Sequence, residues 1–374
     1  MEMKKLLITS TDMMMIQFLV PHVRFLSQRG FQIELACSEV GNRMSDVHRA
    51  LHKYTTAIHT IRLERTPFRL KNLQGYLDLR KLLQQRHYDI IWTNEPVMGA
   101  MTRLAANQAR KNGTKVLYLC HGFHFFNGSG PINWLLFYPA EWLLAGFCDC
   151  IACLNHEDEA RAKRLPVPRV EYIHGIGMDT RRFSLLSSPS DIRAQWRIPE
   201  ETFLLLSVGE LNRNKNHRII LHALAQLADP TVHYLICGKG PLLSDLTELS
   251  VRLGISGQVH FLGYRGDVAD IYRQADVFVL PSYREGLSVA SLEAMYCGLP
   301  LITSRVRGSA DYLQEGISGY LRDAKDTEGF ADAIQQLRAN TSLCGCCGVR
   351  NQKAVLPYCI DHVQQELLEI LMSL

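Results

Sequence analysis

The sequence predicts an α/β protein made of two doubly wound parallel-sheet domains of similar size. Two observations carry the prediction. Short β-rich runs alternate with helix-length amphipathic stretches along the whole chain, the pattern of parallel sheets covered by helices. Near the middle, over residues 183–199, the periodicity fades in a stretch that begins FSLLSSPS, so a domain boundary is expected there. The 374 residues suit that division at roughly 150 residues per domain.

In the first half, strands are expected at 5–9, 32–37, 57–61, 89–93, 115–120, 149–154 and 170–173, with helices at 17–28, 72–85, 97–111, 132–147 and 158–163. In the second half the strands fall at 202–208, 232–237, 259–262, 277–280 and 301–303, and the helices at 217–227, 242–253, 289–297 and 327–338. The expected domains are therefore 1–182 and 183–359, and the amphipathic helix 360–374 is expected to pack back on the first domain. Sheets of this kind bind ligands outside their strand C-terminal ends, so the active site is expected where the two sets of ends face each other across a cleft.

Composition narrows the function classes. Hydrophobic residues make up 47% and charged residues 21%, which excludes a disordered or collagen-like chain. With 41 Lys and Arg against 37 Asp and Glu, the net charge of +4 is far from the basic stripe of a nucleic-acid binder, and no nucleic-acid partner is expected. The 11 cysteines are odd in number and dispersed, which suggests buried thiols in a reducing compartment and a cytoplasmic protein. The start, MEMKKLLITSTDMMMIQFLV, is interrupted by Asp12 and Gln17 and reads as a buried strand rather than a signal peptide. The longest apolar run, PINWLLFYPAEWLLAGF, is short of the ~20 residues of a membrane span and contains Pro139 and Glu141.

The most informative stretch is VFVLPSYREGLSVASLEAMYCGLP at 277–300, a buried strand, a loop and a helix. Ser288 is a good N-cap, which leaves Glu285 in the loop and puts Glu293 about 7 to 8 Å along the helix axis. The backbone N–H groups of Gly286, Leu287, Ser288 and Val289 and the helix dipole suit a phosphate between the two carboxylates. A nucleotide sugar fits: ribose hydroxyls at Glu293, the diphosphate over the helix start, the sugar at Glu285. Taken alone, the two residues also fit a capping Glu and a solvated one.

This stretch, together with SVGELNRNKNH at 207–217 and CGKGP at 237–241, resembles the family 4 retaining glycosyltransferases of the GT-B fold, whose two domains are Rossmann-like. The run LYLCHGFHFFNGSGPINWLLFYPAEWLLAGFCDCIACLN makes it most similar to the bacterial enzymes of capsular and exopolysaccharide assembly. The resemblance implies that Glu285 contacts the donor sugar, that Glu293 holds the ribose and that Lys215, beyond Gly209, neutralises the donor diphosphate. Relatives often carry Arg directly after that Gly; Glu210 stands here, so a second cation is expected elsewhere, with Arg213 the candidate. His121 matches the family's His near the reacting sugar. His124, Ser10 and Asp12 in the loop after the first strand, and Glu95 after the fourth, are further candidates for the acceptor side.

Gly238 and Gly240 follow a strand, but the third glycine and the acidic ribose ligand of a dinucleotide site are missing, which excludes NAD. There is no Asp-x-Asp triplet, and the cysteine clusters 148–153 and 344–347 lack zinc-type spacing, so no cofactor and no metal are expected. The implied reaction moves a sugar from a nucleotide sugar, UDP by family habit, to a polyprenyl-diphosphate-linked saccharide. A nucleotide-sugar epimerase and a non-catalytic scaffold of polysaccharide assembly are the competing readings. Arg62, Arg65, Arg69 and Lys71 near Pro67 and Phe68, with Trp134 and Trp142, are compatible with a peripheral contact at the inner membrane face, or with a solvated loop and a core helix.

Overall fold

A computed structural model describes residues 3–67, 69–184 and 191–374. The chain forms two compact units, Met1–Gly177 with Asp361–Leu374, and Met178–Ile360. Phe68 and most of the Ser- and Pro-containing stretch that suggested the boundary lie outside the described residues.

The first unit is built on seven parallel strands: β1 (Lys5–Thr11), β2 (Gln32–Ser38), β3 (Ala57–Ile61), β4 (Ile90–Asn94), β5 (Lys115–Cys120), β6 (Cys150–Cys153) and β7 (Arg169–Tyr172). Their spatial order is β3-β2-β1-β4-β5-β6-β7. Helices cover both faces, which is why β1 and β4 are buried nearly throughout and carry no alternating charge. Successive residues still point to opposite faces: Leu6 and Ile8 enter one core with Leu35, Trp92 and Leu117, whereas Leu7 enters the other with Ile91, Val116 and Tyr118.

The helix Ile360–Met372 completes the first of these cores, inserting Val363, Leu367, Ile370 and Leu371 among residues that include Met15, Leu19 and Val23. Gln364 Nε2 donates to the Pro21 carbonyl at 3.1 Å. The second unit begins at Met178, ahead of the expected residue 183, because Met178 and Phe183 both pack into its core. The Met178 N–H donates to Tyr358 O at 2.8 Å and its carbonyl accepts from Ile360 N at 2.9 Å, so the outgoing and returning segments are tied side by side.

The second unit carries six parallel strands: β8 (Phe203–Val208), β9 (Val232–Cys237), β10 (Val259–Gly263), β11 (Val277–Leu280), β12 (Leu301–Ser304) and β13 (Gly319–Arg322), in the order β10-β9-β8-β11-β12-β13. In both sheets the strand order reverses beside the first strand, between β1 and β4 and between β8 and β11, where loops diverge and leave room for a ligand.

Some elements go beyond the sequence reading. The first helix, expected at 17–28, starts with a turn at Asp12–Met14 and a π-helical turn at Met15–Leu19 before Val20–Gln28. Pro21 explains this, since it has no N–H for the i→i−4 ladder and the wider turn takes up the break. Helices at Met44–Leu51, Val268–Gln274, Arg307–Tyr312 and Thr341–Ala354, and the strand β13, were not anticipated.

The run that resembled a short membrane span is the helix Pro131–Ala145, and it is not a core helix. Ile132, Leu135, Trp142 and Leu143 are exposed. Its Glu141 makes a two-pronged ion pair with Arg103, at 2.5 Å and 3.2 Å, and the Arg103 guanidinium lies 4.0 Å from the Tyr118 ring centroid. Among the described residues no helix is long and apolar enough to cross a membrane.

Candidate active site

In the second unit the site is assembled from the loops that follow β8 and β11. The loop after β8 runs from Gly209 to Asn216, and its Asn side chains stitch it in place. Asn212 Oδ1 accepts from Lys215 N at 3.0 Å, Asn214 Nδ2 donates to Arg284 O at 2.9 Å, and Asn216 Nδ2 donates to the Pro281 and Ala324 carbonyls. The loop is thereby bonded to the β11 loop at several points, which fixes the Lys215 backbone opposite Glu285. The Lys215 ammonium lies 2.7 Å from Glu285 Oε1, with the two side chains only 20% and 11% exposed.

Gly209 lets the Lys215 stem cross over it, since a Cβ there would lie 3.2 Å from Lys215 Cε. Gly238 and Gly240 serve backbone packing. A Cβ on Gly238 would meet the Gly209 carbonyl at 1.8 Å, and one on Gly240 would meet the Leu211 backbone at 2.4 Å. These two glycines allow the β9 loop to lie against the β8 loop, a close approach that only glycine permits.

The helix Val289–Tyr296 opens next to this pair. The Ser288 hydroxyl accepts from Ser291 N at 3.2 Å as its N-cap. Gly286 packs against the neighbouring helix start, where a Cβ on Gly308 would lie 2.1 Å from the Gly286 carbonyl. Glu293 is buried, accepts from Tyr272 Oη at 3.1 Å and lies 3.4 Å from Arg182 Nη1. Burial pushes its carboxyl above the usual carboxylate range, against the opposing pull of Arg182 and Tyr272. Arg213 and Glu210 are exposed. Tyr272 and Arg182 carry no motif that sequence reading could have picked out.

In the first unit the C-terminal ends of β1, β4 and β5 converge. His121, just after β5, has its Nε2 3.3 Å from Asn94 Oδ1, and burial pulls its pKa down to about 4, so the ring is neutral at pH 7. Glu95 accepts from Thr11 N at 2.7 Å and Thr11 Oγ1 at 3.1 Å, and Arg65 lies 3.7 Å away. Burial raises its carboxyl, partly offset by Thr11 and Arg65. Its φ of 65° is rare for a side-chain-bearing residue and, with Pro96 starting the next helix, makes the sharp corner that turns the carboxylate back onto β1.

Two expected acceptor residues face elsewhere. Asp12 is buried and its carboxylate is taken up by the adjacent Met13 N–H and by the loop after β2: Oδ1 accepts from the Met13, Val40 and Gly41 N–H groups, and Oδ2 from Arg43 N at 2.7 Å. Ser10 is fully buried and donates to the Thr11 carbonyl at 2.9 Å. His124 is exposed, with its ring 4.7 Å from that of Phe137. The cluster present at these strand ends is Asn94, Glu95 and His121.

Both units match family models. Residues 19–182 match glycosyltransferase family 4 and residues 189–353 match the group 1 glycosyl transferases. A Bacillus subtilis (strain 168) protein named "Putative glycosyltransferase EpsD" is 35% identical over 98% of this chain and 96% of its own length. The Escherichia coli "UDP-Gal:alpha-D-GlcNAc-diphosphoundecaprenol alpha-1,3-galactosyltransferase" is 28% identical over 83% of this chain and 80% of its own. Among solved structures, Anabaena HepE in complex with UDP superimposes with a TM-score of 0.81 at 20% identity, covering 100% of both chains. The chain belongs to the family 4 glycosyltransferases and has the GT-B fold. It is a glycosyltransferase related to EpsD.

Proposed function

We propose that the chain is a retaining glycosyltransferase that moves a sugar from a UDP-sugar to a polyprenyl-diphosphate-linked saccharide in capsular or exopolysaccharide assembly. The observation that carries this reading is the Lys215–Glu285 pair at 2.7 Å, placed by two strand-end loops at the start of the helix that bears Glu293. The names of relatives support the substrates: the E. coli galactosyltransferase takes UDP-Gal and a diphosphoundecaprenol acceptor, and HepE is solved with UDP and with UDP-glucose.

In this reading Glu293 accepts from the ribose hydroxyls, and the N–H groups of Gly286, Leu287 and Ser288 receive the diphosphate. Lys215 has three N–H donors, of which Glu285 takes one, so the others are directed at the phosphate oxygens. The acceptor hydroxyl attacks the anomeric carbon on the face from which the diphosphate leaves. The C–O bond to phosphate breaks with its electron pair going to the phosphate oxygen, which takes the hydroxyl proton. The enzyme's contribution is positioning and charge stabilisation, with no metal required. In the first unit, neutral His121, Asn94 and Glu95 supply hydrogen-bonding groups for the acceptor.

A thermal-shift series with UDP-, GDP-, ADP- and dTDP-sugars tests the donor assignment. A donor at 100 times its dissociation constant adds about 2.7 kcal/mol of stability. UDP-sugars should shift the wild type and leave Glu293→Ala unmoved. A shift by GDP-sugars alone, or one retained in Glu293→Ala, overturns it.

The acceptor is a lipid, and the exposed apolar helix Pro131–Ala145 is the surface suited to meeting a bilayer. The basic segment is less so than its sequence suggested. Arg62 is paired with Asp78 at 2.7 Å, Lys71 lies 3.8 Å from Glu64, and Arg65 is turned toward Glu95. In flotation with anionic liposomes the wild type should rise with the lipid, and Leu135→Glu with Trp142→Glu should stay behind. Wild type that does not float ends the membrane assignment.

A further inference from the structure

Far along the sheet from the cluster on β1, β4 and β5, beyond the edge strand β7, three side chains with metal-ligating atoms converge. His174 follows β7, and His362 and Glu366 stand four residues apart on the helix Ile360–Met372, which puts them on one face. His174 Nδ1 lies 2.7 Å from Glu366 Oε1, and His362 Nε2 lies 3.3 Å from the same oxygen. The three ligand atoms all fall within 4.8 Å of one another.

We propose that His174, His362 and Glu366 form a binding site for a divalent transition-metal ion of the Zn2+ class, which staples the C-terminal helix to the segment after β7. Two imidazoles and a carboxylate are the donor set such an ion takes. Ligand atoms around a tetrahedral ion with bonds of ~2.0–2.1 Å lie roughly 3.3 Å apart, close to the separations already present. The fourth position faces solvent, since the His362 side chain is 53% exposed, and that opening is also the route by which an ion enters.

The surroundings hold the ligands in place, as outer groups do at metal sites. The His174 backbone N–H donates to Glu366 Oε2 at 3.0 Å and fixes the carboxylate plane. The Tyr172 ring meets His174 edge-on at 4.8 Å, and its opposite neighbour is His156, stacked at 4.1 Å.

The location gives the site a use. The chain leaves the first unit at Gly177 and returns at Asp361, so His174 precedes one crossing and His362 follows the other. An ion bridging them locks together the two segments through which the chain passes into the second unit and back.

The test is a Co2+ titration of the full-length, chelator-treated protein, followed by visible absorption. The expected result is the intense band of tetrahedral Co2+ with nitrogen and oxygen ligands, saturating at one equivalent and displaced by Zn2+. Losing an outer-sphere partner costs roughly 10–100-fold in affinity, so losing a ligand in His362→Ala should weaken Co2+ binding by more than about a hundredfold. Glu366→Gln should do the same, and His362 is exposed enough for its variant to fold. No saturating band, a band unchanged in His362→Ala, or a near-ultraviolet thiolate-to-metal band placing the ion on cysteines such as exposed Cys346 would each overturn the proposal.

Discussion

Lys215→Ala is expected to lower turnover by at least about a hundredfold, measured as UDP release per folded molecule with saturating donor and acceptor. Removing one preorganised donor from a developing oxyanion costs roughly 10²–10³ in rate. Lys215 is such a donor in the proposed reaction, because the negative charge that grows on the leaving diphosphate is the charge its ammonium faces. The variant also leaves Glu285, only 11% exposed, without its counter-ion, so some stability is lost as well. The unfolding midpoint of Lys215→Ala, read beside its turnover, separates the two effects. Lys215→Ala turning over within threefold of the wild type, with the circular dichroism of a folded chain, sinks the assignment of Lys215 to the diphosphate.

The largest stability effect is expected at Glu141→Ala. Arg103 is wholly buried against Tyr118, and Glu141 is the carboxylate that compensates it. Deleting one member of a buried pair strands the other charge, at about 3–5 kcal/mol. Urea unfolding monitored by tryptophan fluorescence should show the loss as a lower midpoint, Trp134 and Trp142 being on the same helix as Glu141. Replacing both partners with apolar residues of similar size, Arg103→Met with Glu141→Leu, should recover most of it, because no uncompensated charge remains. An unchanged midpoint for Glu141→Ala would mean that water reaches the guanidinium.

The strands were legible because parallel strands buried on both faces are written as short runs rich in apolar residues: IIWTN, KVLYLC, VHYLIC and VFVL each announce themselves. The edge strand β13, GYLR, did not, since it is four residues long and alternates buried with half-buried positions. The helix Thr341–Ala354 was hidden by its composition, TSLCGCCGVRNQKA, whose glycines and cysteines have weak helix propensity and which is held by packing against the rest of its unit. In the candidate site, Glu285 and Glu293 were visible by their spacing around the N-cap Ser288, and Lys215 through the resemblance of SVGELNRNKNH to its family. The roles of Asp12 and Tyr272 were not, because they depend on which distant backbone or carboxylate each one meets. Asp12 reads as a site candidate in the loop after the first strand, and it anchors the N–H of its neighbour Met13 and three N–H groups from the loop after β2.

The C-terminal helix has a consequence for the order in which the molecule is made. Val363, Leu367 and Leu371 are synthesised after the whole of the second unit, yet they close a core begun by Leu6 and Ile8. With all of Met178–Ile360 translated in between, at about 5–20 residues per second the nascent N-terminal sheet waits on the order of ten seconds or more with one face uncovered. During that interval the apolar side chains of Met15, Leu19, Val23 and Leu26 lack the helix that covers them in the finished unit. The second unit has its own core and is complete before residues 361–374 are made, so of the two units the one translated first is the one completed last.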